Sequence, residues 1–243
     1  MSYAELSGLL ERRLQLRFPP IALAFVQEQP PEVPRTEMIL PSSCAFWRKA
    51  ETEVFFAAAE DHFRCPVGAM VMGFSLPEQQ MQELTEEVGQ MCAASYVREA
   101  EVEHIPKREN PSAGIVYGPL ERFPLDPDAV LLWLTPQQAM VMNDCCGLTN
   151  WAEPADGVFG RPACAAVPLA LAKGKPSQSW GCVGMRLNTD IPGEVFLMAV
   201  PGSRLQSLEV DLIFTTEVHQ RMKDYYLGRA SKPTVAGGSG PTR

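Results

Sequence analysis

Asp128-Ala129-Val130-Leu131-Leu132-Trp133-Leu134-Thr135-Pro136-Gln137-Gln138 is the stretch on which the fold turns. Six apolar residues in a row, too few for a buried helix, describe a strand covered on both faces. Thr135 with Gln138 then forms a capping-box pattern, and Pro136 suits the first turn of a helix running through Met140 and Met142 to Cys146, with Gly147 as its stop. The unit is therefore a buried strand leading directly into an amphipathic helix.

The same alternation extends in both directions. Upstream, Ser2 and Glu5 make a capping box before Leu6, Leu9, Leu10 and Leu14, and a helix ends at Phe18-Pro19-Pro20. Ile21 to Val26 reads as a second buried strand, and Gln29 to Pro34 as a stiff connection. Val54 to Ala58, Gly114 to Gly118 and Glu194 to Val200 add further strands. Ser75 with Glu78 predicts a capped helix carrying Met81, Leu84, Val88, Met91 and Cys92 on its apolar face. Leu205 to Tyr226 shows helical spacing, and Asn150 to Gly160 reads as a loop. Strands interleaved with helices give an α/β or α+β fold with a mixed sheet packed by helices.

Within that frame two stretches echo one another. Pro41-Ser42-Ser43-Cys44 leads to Cys65-Pro66-Val67-Gly68-Ala69-Met70, and Arg161-Pro162-Ala163-Cys164 leads to Cys182-Val183-Gly184-Met185. In each, a proline and a small residue precede a cysteine that opens a helix, and about twenty residues later a second cysteine precedes glycine and methionine. One compact domain over residues 1–230 is expected, with related halves at about 20–97 and 114–200 and a disordered tail over 231–243. Cys65 is expected on a loop, and Cys182 on a strand or loop bracketed by glycines.

The net charge of -8 and pI near 5.0 argue against nucleic acid or an anionic membrane as partner. With no leader-like or membrane-spanning segment evident, a cytoplasmic protein is expected, in which seven cysteines stay reduced. Four converging thiolates suit an iron–sulfur cluster, with 4Fe–4S favoured, or a tetrahedral zinc site as the lesser choice. The expected ligands are Cys44, Cys65, Cys164 and Cys182, with His62, Arg186, Trp47, Gly68 and Gly184 around them. A redox or electron-transfer role follows, with a redox protein or a small molecule as partner and a homo-oligomer left open. Two other readings stand beside it: a pocket lined by the cysteines that binds a small ligand or partner without catalysis, and thiol redox chemistry. Cys92, Cys145 and Cys146 read as packing.

The motifs Cys44-Ala45-Phe46-Trp47, Glu60-Asp61-His62-Phe63-Arg64-Cys65-Pro66-Val67-Gly68, Tyr117-Gly118-Pro119-Leu120, Arg161-Pro162-Ala163-Cys164 and Gly181-Cys182-Val183-Gly184-Met185-Arg186 resemble the bacterial and archaeal family described as uncharacterised ArCR. The likeness runs from Leu6 to about Tyr226. It brings no activity with it, but it implies that Cys44, Cys65, Cys164, Cys182, His62 and Arg186 form one constellation.

Overall fold

The structure, a computed structural model, describes residues 1–149, 158–159 and 161–230. A sheet of seven strands divides two layers of helices. The strands are β1 (Ile21–Val26), β2 (Phe55–Ala58), β3 (Gly114–Pro119), β4 (Ala129–Leu134), β5 (Val158–Phe159), β6 (Ser177–Ser179) and β7 (Phe196–Pro201). Their order is β2-β3-β1-β4-β7-β6-β5, with every pair antiparallel except β5 and β6.

Both faces of the sheet are covered, which accounts for the unbroken apolar runs. Along β4, Ala129, Leu131 and Trp133 point into one core, and Val130, Leu132 and Leu134 into the other. The second core is closed by α1 (Tyr3–Leu14), α6 (Pro136–Cys145) and α9 (Leu205–Ala230), through Leu6, Leu10, Met142, Leu208 and Leu212. The first core is closed by α2 (Ala45–Lys49), α3 (Pro66–Val71), α4 (Glu78–Ala93), α7 (Ala166–Lys173) and α8 (Val183–Thr189). A short helix, α5 (Glu99–Val102), follows α4. The capping boxes at Ser2/Glu5 and Thr135/Gln138 form as expected.

The sheet carries the echo. Each half contributes a cysteine, a helix, a strand, a second cysteine and a second helix: Cys44, α2, β2, Cys65, α3, and then Cys164, α7, β6, Cys182, α8. The order β2-β3-β1 mirrors β4-β7-β6 about the β1–β4 junction, where Ala22 pairs with Val130. Strands β3 and β7 both end on a proline that leads into a 3-10 turn, at Leu120–Arg122 and Gly202–Arg204. In this mirrored order β1 stands opposite β4, β3 opposite β7 and β2 opposite β6.

Three local expectations change. Pro66 does not keep Cys65 from a helix; it occupies the first position of α3, where its missing N–H costs nothing, and Cys65 is the N-cap. Cys182 likewise caps a helix, α8, after a turn at Gly181, whose φ of 92° suits glycine. Helix α4 starts from Pro77 without a side-chain cap, so the Ser75/Glu78 box does not form. The loop expected over Asn150 to Gly160 lies mostly outside the described residues, which place Val158–Phe159 in β5, and the tail from residue 231 lies wholly outside them. Among the described residues no helix is long and apolar enough to cross a membrane.

Candidate functional site

All four echoed cysteines stand where a helix begins. Cys44, Cys65 and Cys182 are the N-caps of α2, α3 and α8, and Cys164 lies in the 3-10 turn that runs into α7. The start of a helix leaves backbone N–H groups without intrahelical partners, and these can donate to sulfur. The Met185 N–H donates to Cys182 Sγ at 3.4 Å, and Cys65 accepts from the backbone of Ser43 and Gly68. Ser42 Oγ lies 3.1 Å from Cys44 Sγ and also caps α2 by accepting from the Ala45 N–H.

The four side chains line one cavity of about 200 Å³. Cys44 and Cys164 are buried, and Cys65 and Cys182 are half-buried. Each of the six pairs among them interacts electrostatically, so a charge on any one sulfur disfavours a charge on the other three. Burial is the larger effect. It pushes the Cys44 thiol up to about 12 and raises Cys65 and Cys164, the latter well above its ordinary value. Left alone, these thiols hold their protons. All seven cysteines are free thiols, and among the described residues no group of three or more His, Cys, Asp or Glu side chains is placed so as to hold a metal ion.

Gly68 makes the cysteine cluster sterically feasible. A Cβ at this position would lie 2.5 Å from Ser43 Oγ and 2.9 Å from Cys65 Sγ. Ser43 Oγ is itself buried on the cavity wall without a hydrogen-bond partner. Gly184 also lines the cavity, with open space where a Cβ would project.

The remaining expected residues are set back from the cavity. His62 is buried behind it, between the rings of Phe46 and Phe74 at 4.9 and 4.7 Å. Its Nδ1 lies 2.8 Å from the Ala58 carbonyl, which can only accept, so Nδ1 carries the proton and Nε2 accepts from the Tyr117 hydroxyl at 3.1 Å. Desolvation lowers the His62 pKa to about 4, against the opposing pull of the Ala58 carbonyl. With both nitrogens engaged, His62 supports the fold under the site through Tyr117, whose hydroxyl is close enough to feel Cys164 and Cys44. Trp47 packs 6.0 Å from Trp133 in the core. Arg186 lines an adjoining groove together with Cys182 and donates to the carbonyls of Trp180 and Pro192, so it ties the segment before α8 to the one after it.

Several cavity residues escaped the sequence reading. Glu87 follows Leu84 and precedes Val88 and Met91 at 84, 87, 88 and 91, which places a carboxyl inside the apolar stripe of α4. That interruption was a usable signal. Burial raises the Glu87 pKa. Arg161, immediately before the Pro162-Ala163-Cys164 motif, lies 4.0 Å over the ring of Tyr96. Tyr96 had no local pattern to mark it, because only the turn after α4 brings it to the cavity.

The family model for uncharacterised ArCR matches residues 9–210. The chain belongs to that family. The match to ArCR spans all four cavity cysteines together with His62 and Arg186. No curated protein and no solved structure matches the chain.

Proposed function

We propose that the chain binds an iron–sulfur cluster, with 4Fe–4S favoured, through Cys44, Cys65, Cys164 and Cys182, in a redox or electron-transfer role. The observation that carries the reading is the convergence of four sulfurs, drawn from both halves, on one cavity in which all six pairs interact. Such a gathering of buried thiols is unfavourable for thiolates by themselves and favourable around cationic iron, which reverses the local pKa preference and releases the protons.

The donor set suits the group. Four cysteines are the usual ligands of such a cluster, which when bound supplies a one-electron couple tuned by hydrogen bonds and burial. The chain's own residues would hold and tune it: the N–H groups of Ser43, Gly68 and Met185 and the unpartnered Ser43 hydroxyl offer donors to sulfur. A single zinc ion, with Zn–S near 2.3 Å, would need its sulfurs within about 3.8 Å of one another. Among the described residues no three such side chains are placed to hold a single ion. Thiol exchange without a metal is less suited, because thiols raised by burial make poor nucleophiles. A reducing, cytoplasmic compartment and a redox protein or small molecule as partner belong to the same reading.

Metal and sulfide analysis with a visible absorption spectrum, on anaerobically purified wild type and Cys65→Ser, tests it. Iron and acid-labile sulfide with broad visible absorption, lost in the variant, is the expected result. Colourless protein with stoichiometric zinc, or folded protein with neither metal nor colour, overturns it.

A further inference from the structure

The cysteines occupy only part of the cavity wall. Helix α4 and residues 96–105 supply the rest through Val88, Met91, Tyr96, Val97, Val102 and Ile105, all half-buried with apolar surface facing the space. An apolar space of this size forfeits packing unless something fills it. The cavity adjoins a second groove, and the two share Tyr96, Arg161 and Cys182.

The two arginines in that groove differ in their commitments. The Arg186 guanidinium is held by two backbone carbonyls. Arg161 lies against the face of Tyr96 and forms no ion pair among the described residues, and Glu101, the acid whose charge it shifts, is already paired with Arg98. An exposed guanidinium therefore stands where groove and cavity meet. Inside, the half-buried Glu87 carboxyl lines the same wall.

We propose that this cavity binds a small monocarboxylate with an apolar body, the carboxylate paired with Arg161 at the mouth and the body packed against α4 and residues 96–105. The inference deepens the cluster reading, because the ligand would lie beside the same four cysteines; the binding step itself needs only the cavity and Arg161.

Isothermal titration calorimetry at pH 7 with benzoate, phenylacetate and isovalerate, and with benzyl alcohol as the uncharged analogue, tests it on the full chain. Each preparation is assayed for iron and sulfide in parallel. At least one carboxylate should bind saturably with one site per chain. Arg161→Met should weaken it roughly tenfold, the size of one charge-assisted hydrogen bond, while benzyl alcohol changes less than about twofold. Val102→Glu, on the cavity-facing side of α5, should abolish both. Absence of saturable binding by all three acids, or binding unchanged in Arg161→Met, overturns the proposal. Carboxylate binding by metal-free, colourless protein would sink the cluster reading and leave this site standing, whereas a loaded cluster without carboxylate binding would do the reverse.

Discussion

A methyl group at Gly68 has nowhere to go. The atoms it would strike are a buried hydroxyl and a sulfur of the site, Ser43 Oγ and Cys65 Sγ, neither of them a flexible chain end. Gly68→Ala should therefore cost about 1–3 kcal/mol by denaturant unfolding, despite the better helix propensity of alanine, and on the proposed cluster reading should reduce iron content by displacing Cys65. Gly184→Ala, with open space around it, should keep wild-type stability, and the pair separates a steric effect from a general intolerance of alanine. His62 makes a different prediction. Its folded pKa of about 4 lies below the ordinary 6.5, so between those values the unfolded chain binds more protons than the folded one. Stability is fully present above about pH 6.5 and falls as the pH is lowered toward 4, by about 3 kcal/mol from this group. Unfolding midpoints measured at several pH values should show a steeper acid loss in wild type than in His62→Gln; equal slopes would mean that the buried ring does not titrate as described. The bond to Tyr117, a strand residue 55 positions away, could not have been read from the sequence around His62.

Among the elements, α4 is the weakest part of the site. It has one buried residue, Leu84, over sixteen; Val88 and Met91 lie half-buried along the cavity, and Met81 is exposed. Amide exchange over 78–105 should accordingly be faster than in β4 and β7, where every residue is buried. Leu84→Ala should destabilise by about 2 kcal/mol and speed exchange in that segment while leaving the sheet protected. Uniform loss of protection would mean that α4 unfolds only with the whole domain. The element types were mostly legible: β4 spans the six residues of its apolar run, and the capping boxes of α1 and α6 form. The helices that start at Cys65 and Cys182 were not legible, because α3 and α8 are six and seven residues long and packing outweighs so few residues of local preference.

At the scale of the whole molecule, three desolvated thiols are concentrated in one cavity. Cys44, Cys65 and Cys164 keep their protons in the folded state above the ordinary thiol value of 9.0, where the unfolded chain gives them up. The folded chain then binds more protons, so stability should fall as pH rises from about 9 toward 12. Unfolding followed from pH 8 to 10.5 should show that decline in wild type and a shallower one in Cys44→Ala/Cys164→Ala; parallel curves would mean that these thiols are not desolvated.

What the sequence determined by itself was the set of pieces: buried strands from unbroken apolar runs, helices from their caps, and two cysteine pairs in matching contexts. These are local signals, written within a few residues of where they act. Only the tertiary structure decided that β1 and β4 pair at the centre of a mirrored strand order, so that four cysteines from distant parts of the chain reach one side of one sheet. It also decided that Glu87, Tyr96 and Arg161 join them while His62 and Trp47 fall behind the wall. The reason is physical. Which side chains share a cavity depends on contacts between residues far apart in sequence, and the pattern around any one of them records only whether it is buried.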